Sequence, residues 1–223
     1  MKNPWQQVPL EVYESHMRLD TVAQLQFLNQ VMKSQWQSFP QTTSAVVLGI
    51  AGGNGLEHCG DGVKTVIGID VNDQYLQECK KRFGELLGCR FQLIQMDLIE
   101  PEVRLPKVDL VIANLLIEYV GIANFCAKVA ESQAHHISCV IQMSGDPKQN
   151  FVSDSPYQSQ LESIGALYQD VDERRLCINL ARCGYTQILR KEYGLPNGKR
   201  FVRLDFRIRQ EGEGFKKTHN YTK

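Results

Sequence analysis

Val46-Val47-Leu48-Gly49-Ile50-Ala51-Gly52-Gly53-Asn54-Gly55-Leu56-Glu57 is a short apolar run that enters a glycine-rich turn, followed by residues able to start a helix. Strand, glycine turn and helix start in that order mark a nucleotide-binding α/β domain, in which bare backbone must come close to a ligand. Further on, Thr65-Val66-Ile67-Gly68-Ile69 is a second apolar run, and it ends in Asp70. A carboxylate at the tip of a second strand is placed to accept hydrogen bonds from a ribose. Together the two features predict an adenosine-containing cofactor.

Working outward, five apolar, β-branched segments follow one another at 45–50, 65–70, 90–97, 108–114 and 136–143. Most are near-continuous runs, as strands buried on both faces of a parallel sheet require. Between them lie helical patterns. In 72–87, Asn72 or Asp73 can cap, and Leu76, Cys79, Phe83 and Leu86/Leu87 recur every three or four residues. Segment 115–134 carries Ile117, Val120, Phe125 and Val129 on a similar stripe. Alternating strand and helix predicts a doubly wound sheet.

Ahead of the first strand, 10–38 reads as one long helix, with Val12, Leu19, Val22, Leu25, Leu28, Met32 and Trp36 mostly on one face. After the fifth strand, 144–157 is polar, with Gly145, Pro147 and Pro156, and reads as a long loop: a lid, or a connection without fixed structure. A helix is expected over 172–183, stopped by Gly184. Segments 185–193 and 199–209 form two strands joined by Gly194-Leu195-Pro196-Asn197-Gly198. In the second, Phe201, Arg203, Asp205, Arg207 and Arg209 alternate with Val202, Leu204, Phe206 and Ile208, which predicts an antiparallel strand with one face in water. The chain reads as one domain over 1–223, with a helical cap at 10–38, a core at 44–209 and a flexible tail at 210–223.

The 223 residues carry 25 Lys+Arg against 25 Asp+Glu. That balance gives no field to hold a polyanion, so no nucleic-acid or membrane partner is expected. No apolar run approaches the roughly 20 residues that span a bilayer, and the N-terminus lacks the apolar core of a signal peptide. Seven cysteines without paired spacing, Cys79, Cys126 and Cys139 among apolar residues, read as buried reduced thiols of a cytoplasmic protein. Oligomeric state leaves no signal.

Two cofactor classes compete for the glycine turn. A dinucleotide fold requires GxGxxG, whose third glycine lets helix and strand pack closely. Here Gly53-x-Gly55-x-x-His58 puts histidine there, and Gly52 leads only to Gly55-Leu56-Glu57. A terminal antiparallel hairpin is also unlike the second half of a dinucleotide fold. From about Leu10 to Arg209 the chain instead resembles the class I S-adenosylmethionine-dependent methyltransferases. LGIAGGNGLE resembles their first motif, and Asp70 their acidic ribose position. Gln95-Met96-Asp97-Leu98 resembles the motif whose Asp contacts the adenine amino group. Val108 to Val120, with Asn114 in its middle, resembles the fourth motif, which floors the methionine end of the cofactor.

The resemblance implies a three-layer, doubly wound α/β fold of seven mostly parallel strands, the last antiparallel, behind an N-terminal helix. It implies S-adenosylmethionine as cofactor and methyl transfer to a small molecule, or to one protein side chain. Cofactor contacts would come from Gly49, Ala51, Gly53, Asn54 (through its main chain), Gly55, Asp70, Val71, Met96, Asp97, Leu98 and Asn114. The first motif usually opens with an acid and a glycine, where this chain has Gly49 and Ala51, so the partner of the cofactor's ammonium is unassigned; a backbone carbonyl or the front helix is available. The fourth motif is no Asn-Pro-Pro-aromatic box, which counts against flipped bases and glutamine amides as acceptors.

Tyr13 and His16, on one face of the front helix, and Glu118 and Tyr119, after the fourth motif, are the candidates for a general base or acceptor contact. Each has a plainer reading: packing for the first two, a dipole-favoured helix start for Glu118. His58 is expected to pack beside the turn and His135-His136 to be structural, with no third ligand for a metal. A non-catalytic protein that binds the same cofactor, or a nicotinamide-dependent oxidoreductase, are the alternatives.

Overall fold

The computed structural model describes residues 3–144 and 151–210. The expected tail beyond 210, and 145–150 of the expected loop, lie outside them.

Seven strands form one sheet in the order β3-β2-β1-β4-β5-β7-β6: β1 Ser44–Leu48, β2 Thr65–Asp70, β3 Phe91–Gln95, β4 Leu110–Asn114, β5 His136–Ser144, β6 Tyr185–Gly194 and β7 Lys199–Ile208. The first five pair in parallel, and β7 runs antiparallel to both β5 and β6. The strand order reverses between β1 and β4, so their carboxyl ends open a crevice at the switch point. Helices cover both faces: α1 Leu10–Arg18, α2 Gln24–Ser38, α3 Asp73–Leu87, α4 Ile117–Val120, α5 Ile122–Ser132, α6 Gln158–Gly165 and α7 Glu173–Arg182. Side chains alternate between two cores. Val46, Leu48, Ile67 and Val111 meet α5 and α7 through Val129 and Leu180, while Val47, Val66 and Ile112 meet α2 and α3 through Trp36 and Cys79.

Asn72 caps α3, accepting from the amides of Gln74 and Tyr75 at 3.0 and 3.4 Å. Asp172 caps α7, and Gly184 follows it at φ 92°. Five expectations need correction. The 10–38 helix is two, because 19–23 turns back on itself with Ala23 left-handed (φ 51°); Val22 stays buried in the turn, so the apolar stripe is shared by two packed helices. The glycine turn starts no α-helix: only a 3-10 turn, Leu56–His58, precedes an irregular run to β2. The layer such a crossover helix would fill is held by α2, whose Met32 would collide at 2.5 Å with a Cβ on Gly55. Gly121, at φ 79°, divides 115–134 into α4 and α5. Helix α6, unread in the sequence, buries Leu161 and Ile164 against Val8 and Tyr119.

The fifth concerns β7, which has no watered face: Phe201 to Phe206 are all buried, since Val202, Leu204 and Phe206 join the core under α5 and α7 and α2 lies over the other face. Its charged residues pair under a roof. Arg203 is 1 % exposed and donates to both Asp205 oxygens at 2.9 and 2.6 Å, and α2 covers the pair, Ser34 and Ser38 each accepting from the guanidinium at 2.9 Å.

All seven cysteines are free thiols, Cys59, Cys79, Cys126 and Cys139 buried and Cys89 exposed. Among the described residues no helix is long and apolar enough to cross a membrane.

Candidate functional site

The glycine turn leaves β1 through a run of left-handed residues: Gly49 at φ 64°, Ala51 at 46°, Gly53 at 86° and Gly55 at 91°. It is tied to β2, Ile50 N–H donating to Ile69 O at 3.1 Å and Ala51 N–H to Asp70 Oδ2 at 2.9 Å. Gly49 has a packing reason besides its backbone: a Cβ there would lie 3.0 Å from Leu116 Cδ1.

Above the turn, a cleft of about 710 Å³, solvent at its mouth included, is lined by Gly49, Ala51, Asp70, Val71, Met96, Asp97, Leu98 and Asn114. These are eight of the eleven residues expected at the cofactor. Gly53 and Asn54 line an adjoining cavity of about 570 Å³, which shares Gly49, Ala51, Asn114 and Tyr13 with the first. Gly55 lines neither, its place being fixed by the α2 contact. Asn54 spends its side chain on α2, donating to Leu25 O at 2.8 Å and accepting from Asn29 at 3.0 Å. His58 packs there too, 2.9 Å from Asn29 Oδ1.

Asp70 is 8 % exposed. Its Oδ1 accepts from Asn72 N–H and its Oδ2 from Ala51 N–H, both at 2.9 Å. Burial pushes its carboxyl up to about 6, against the pull of those amides. Each oxygen keeps a further acceptor site. Asp97 accepts from Ile99 N–H at 3.1 Å and from the Asn3 side chain at 2.9 Å. Asn114 turns its amide to α2 and exchanges two 2.9 Å hydrogen bonds with Gln35, which donates onward to Ser138.

Several lining residues carried no clear signal in the sequence. Asn3 caps a 3-10 helix, Pro4–Gln7, that crosses the cleft; Gln6 donates to Val71 O at 3.2 Å and Asn72 to Trp5 O at 2.9 Å. The Asn-Pro-Trp start, a cap with proline behind it, is the signal that could have found this segment. The Trp5 ring stands edge-on to Tyr13 and Tyr119, at 5.5 and 4.9 Å. Tyr75, 2 % exposed, lines the cleft with a hydroxyl that has no partner in the structure.

Of the four candidate catalytic residues, Tyr13 lines both cavities and Tyr119 the first, whereas His16 and Glu118 line neither. His16 is buried against Ser155 (2.8 Å), and burial with Lys199 nearby lowers its pKa. Burial first, then nearby carboxylates, raises the Tyr13 phenol, and burial raises that of Tyr119 as well, so neither is set up as a base. Among the described residues, the ionisable side chains lining the two cavities are Asp70, Asp97, Glu14 and three tyrosines, with no Lys, Arg or His.

Glu118 is fully buried under the cleft floor. Its Oε1 accepts from Gln142 N–H at 2.8 Å, and its Oε2 has no partner. Burial raises its carboxyl from 4.5 to about 7. The fold therefore binds a proton that the unfolded chain releases in that interval. Glu118 contributes stability fully below pH 4.5 and loses it as pH rises through 7. Glu118→Gln keeps the Gln142 contact and no longer titrates. It should gain up to roughly 3 kcal/mol over the wild type at pH 8.5 and nothing at pH 4, in urea unfolding at the two pH values. A constant difference between the two proteins would reject the assignment.

No protein-family model and no curated protein matches the chain. Solved structures do. The N-methyltransferase NodS from Bradyrhizobium japonicum WM9 superposes with a TM-score of 0.60 at 12 % identity, over 83 % of this chain and 96 % of that one. Magnesium protoporphyrin IX methyltransferase (ChlM) from Synechocystis PCC 6803, solved with bound S-adenosylhomocysteine, gives 0.59 at 13 %, over 81 % and 83 %. The [4+2]-cyclase SpnF gives 0.60 at 8 %, over 81 % of both chains. At these identities the likeness is one of fold. The chain has the Rossmann-like fold of the class I S-adenosylmethionine-dependent methyltransferases, on which another chemistry is also found.

Proposed function

We propose that this protein transfers a methyl group from S-adenosylmethionine to a small molecule that is uncharged or cationic. The observation that carries the reading is Asp70, locked by two backbone amides at the β2 tip and facing the cleft with acceptor sites to spare. Its oxygens accept from the ribose hydroxyls. Asp97 takes the adenine amino group in exchange for Asn3, with Val71, Met96 and Leu98 against the ring. Gly49, Ala51, Gly53 and the backbone of Asn54 line the path of the amino-acid end, with Asn114 as its floor.

The bound cofactor supplies a methyl group already activated on a sulfonium. What remains for the chain is to align acceptor and methyl and to exclude water. Trp5, Tyr13 and Tyr119 do this with their rings. Neither tyrosine is set up as a base, and Asp70 and Asp97 are taken up with the cofactor, so the acceptor brings its own lone pair, as a neutral amine does. Among the described residues, the wall of the first cavity carries carboxylates and no cation, which disfavours an anionic acceptor and gives nucleic acid no hold. The free thiols suit a reducing cytoplasm. A non-catalytic binder of the same cofactor would keep Asp70 but yield no methylated product. A nicotinamide dinucleotide is disfavoured because the turn leads into no helix whose N-terminus could hold a pyrophosphate.

Calorimetric titration with S-adenosylhomocysteine, with NADH as control, tests the reading. The wild type should bind the first alone, and Asp70→Ala should lose about 1–3 kcal/mol of that affinity. Unchanged affinity in the variant would remove Asp70 from the ribose.

A further inference from the structure

We propose that Glu14 and Arg82 together hold the amino-acid end of the cofactor, in place of the first-motif acid that position 49 lacks; this rests on the function proposed above. At Gly49 an acidic side chain is excluded twice over, by the left-handed backbone and by Leu116 (φ 64°; Cδ1 3.0 Å from the would-be Cβ). The second cavity continues the first past Gly49, Ala51 and Asn114, away from Asp70 and Asp97. A ligand with its adenosine between Asp97 and Asp70 therefore extends its other end into that cavity. Among the described residues lining it, Glu14 brings the one carboxyl group.

Glu14 comes from α1, is 8 % exposed, and accepts from Arg82 Nη1 at 2.6 Å through Oε1. Its Oε2 has only a distant cation, Arg18 Nη2 at 3.9 Å, which leaves acceptor capacity for an ammonium group. Arg82 comes from α3, where Glu78 also holds it at 3.3 Å. Both groups stand directly over the turn: a Cβ on Gly52 would run into the Glu14 carboxylate and the Arg82 guanidinium. Position 52 is bare, and the ion pair rests where a side chain would be.

An amino-acid zwitterion needs one anion and one cation side by side, and this pair offers both. Glu14 takes the ammonium, and Arg82, which lines neither cavity itself but stands beside Glu14 over the turn, offers the carboxylate the N–H donors that Glu14 and Glu78 leave over. A plain tie between α1 and α3 would bind no ligand group, and the two roles separate by experiment. S-Adenosylhomocysteine carries the amino-acid end, and 5′-methylthioadenosine is the same nucleoside without it. Glu14→Gln should bind S-adenosylhomocysteine about tenfold more weakly, with its affinity for methylthioadenosine unchanged. Arg82→Gln, at a half-exposed position that tolerates the change, should show the same split and serves if Glu14→Gln does not fold. Equal effects on both ligands, or none on either, would make the pair a structural tie and overturn the inference. A wild type that binds neither ligand would instead overturn the cofactor reading, and the inference with it.

Discussion

Arg203→Met is expected to destabilise the fold by about 3–5 kcal/mol, the usual cost of removing one partner from a buried ion pair. Asp205 is 2 % exposed, so its carboxylate cannot turn to water once the guanidinium has gone. Its remaining partner is the Ser138 hydroxyl, at 2.5 Å. Ser34 and Ser38 lose their donors at the same time, and with them goes one attachment of α2 to the sheet. The double variant Arg203→Met/Asp205→Leu removes both charges and should recover at least half of the loss, because no uncompensated ion is left. Urea unfolding of the two proteins measures this. A single variant within 1 kcal/mol of the wild type would mean that the pair is not sealed from solvent.

Gly53→Ala should cost about 3 kcal/mol by a different route. At φ 86° an L side chain is strained by about 1–2 kcal/mol, and the new methyl would meet two Phe83 ring carbons at 2.7 Å and Cys79 Sγ at 2.8 Å. Relieving those contacts moves α3, an overpacking cost of about 1–3 kcal/mol. Since α3 starts beside Asp70, S-adenosylhomocysteine affinity should fall as well. Gly60 in the same connection has open space around it and no left-handed backbone. Gly60→Ala is the control, expected within about 0.5 kcal/mol of the wild type. Equal stability of the two alanine variants would show that the turn is looser than its contacts require.

The centre of the sheet was readable in the sequence because β1, β2, β4 and β5 are almost wholly buried, and such burial leaves continuous apolar runs. Asp70 was readable because it ends such a run, and Asp97 because it follows the partly buried edge strand β3. The errors share another cause: distant segments that occupy each other's places. The apolar stripe of α2 says that it packs, but not that it fills the layer between β1 and β2, which decides that no helix follows the glycine turn. Alternation in β7 looked like a watered face because nothing local shows that α2 roofs Arg203 and Asp205. Asn3 reaches Asp97 across 94 residues, and Tyr75 carried no signal of its own in the sequence. His16 was expected at the cleft from its spacing to Tyr13 and Glu118 from its place after the fourth motif; neither shows which neighbours the side chain meets.

The roof over β7 also bears on the order in which the molecule can be completed during synthesis. Ser34 and Ser38 bond to a residue 169 and 165 positions later in the chain. Helix α2 leaves the ribosome early, yet the part of its seat that β7 supplies does not exist until the last strand has been made. Until then the Met32 and Trp36 face can dock on β1, while its polar edge waits. So large a separation between contacting residues slows folding, and a nascent chain stalled before β7 exposes an open β5 edge to its neighbours.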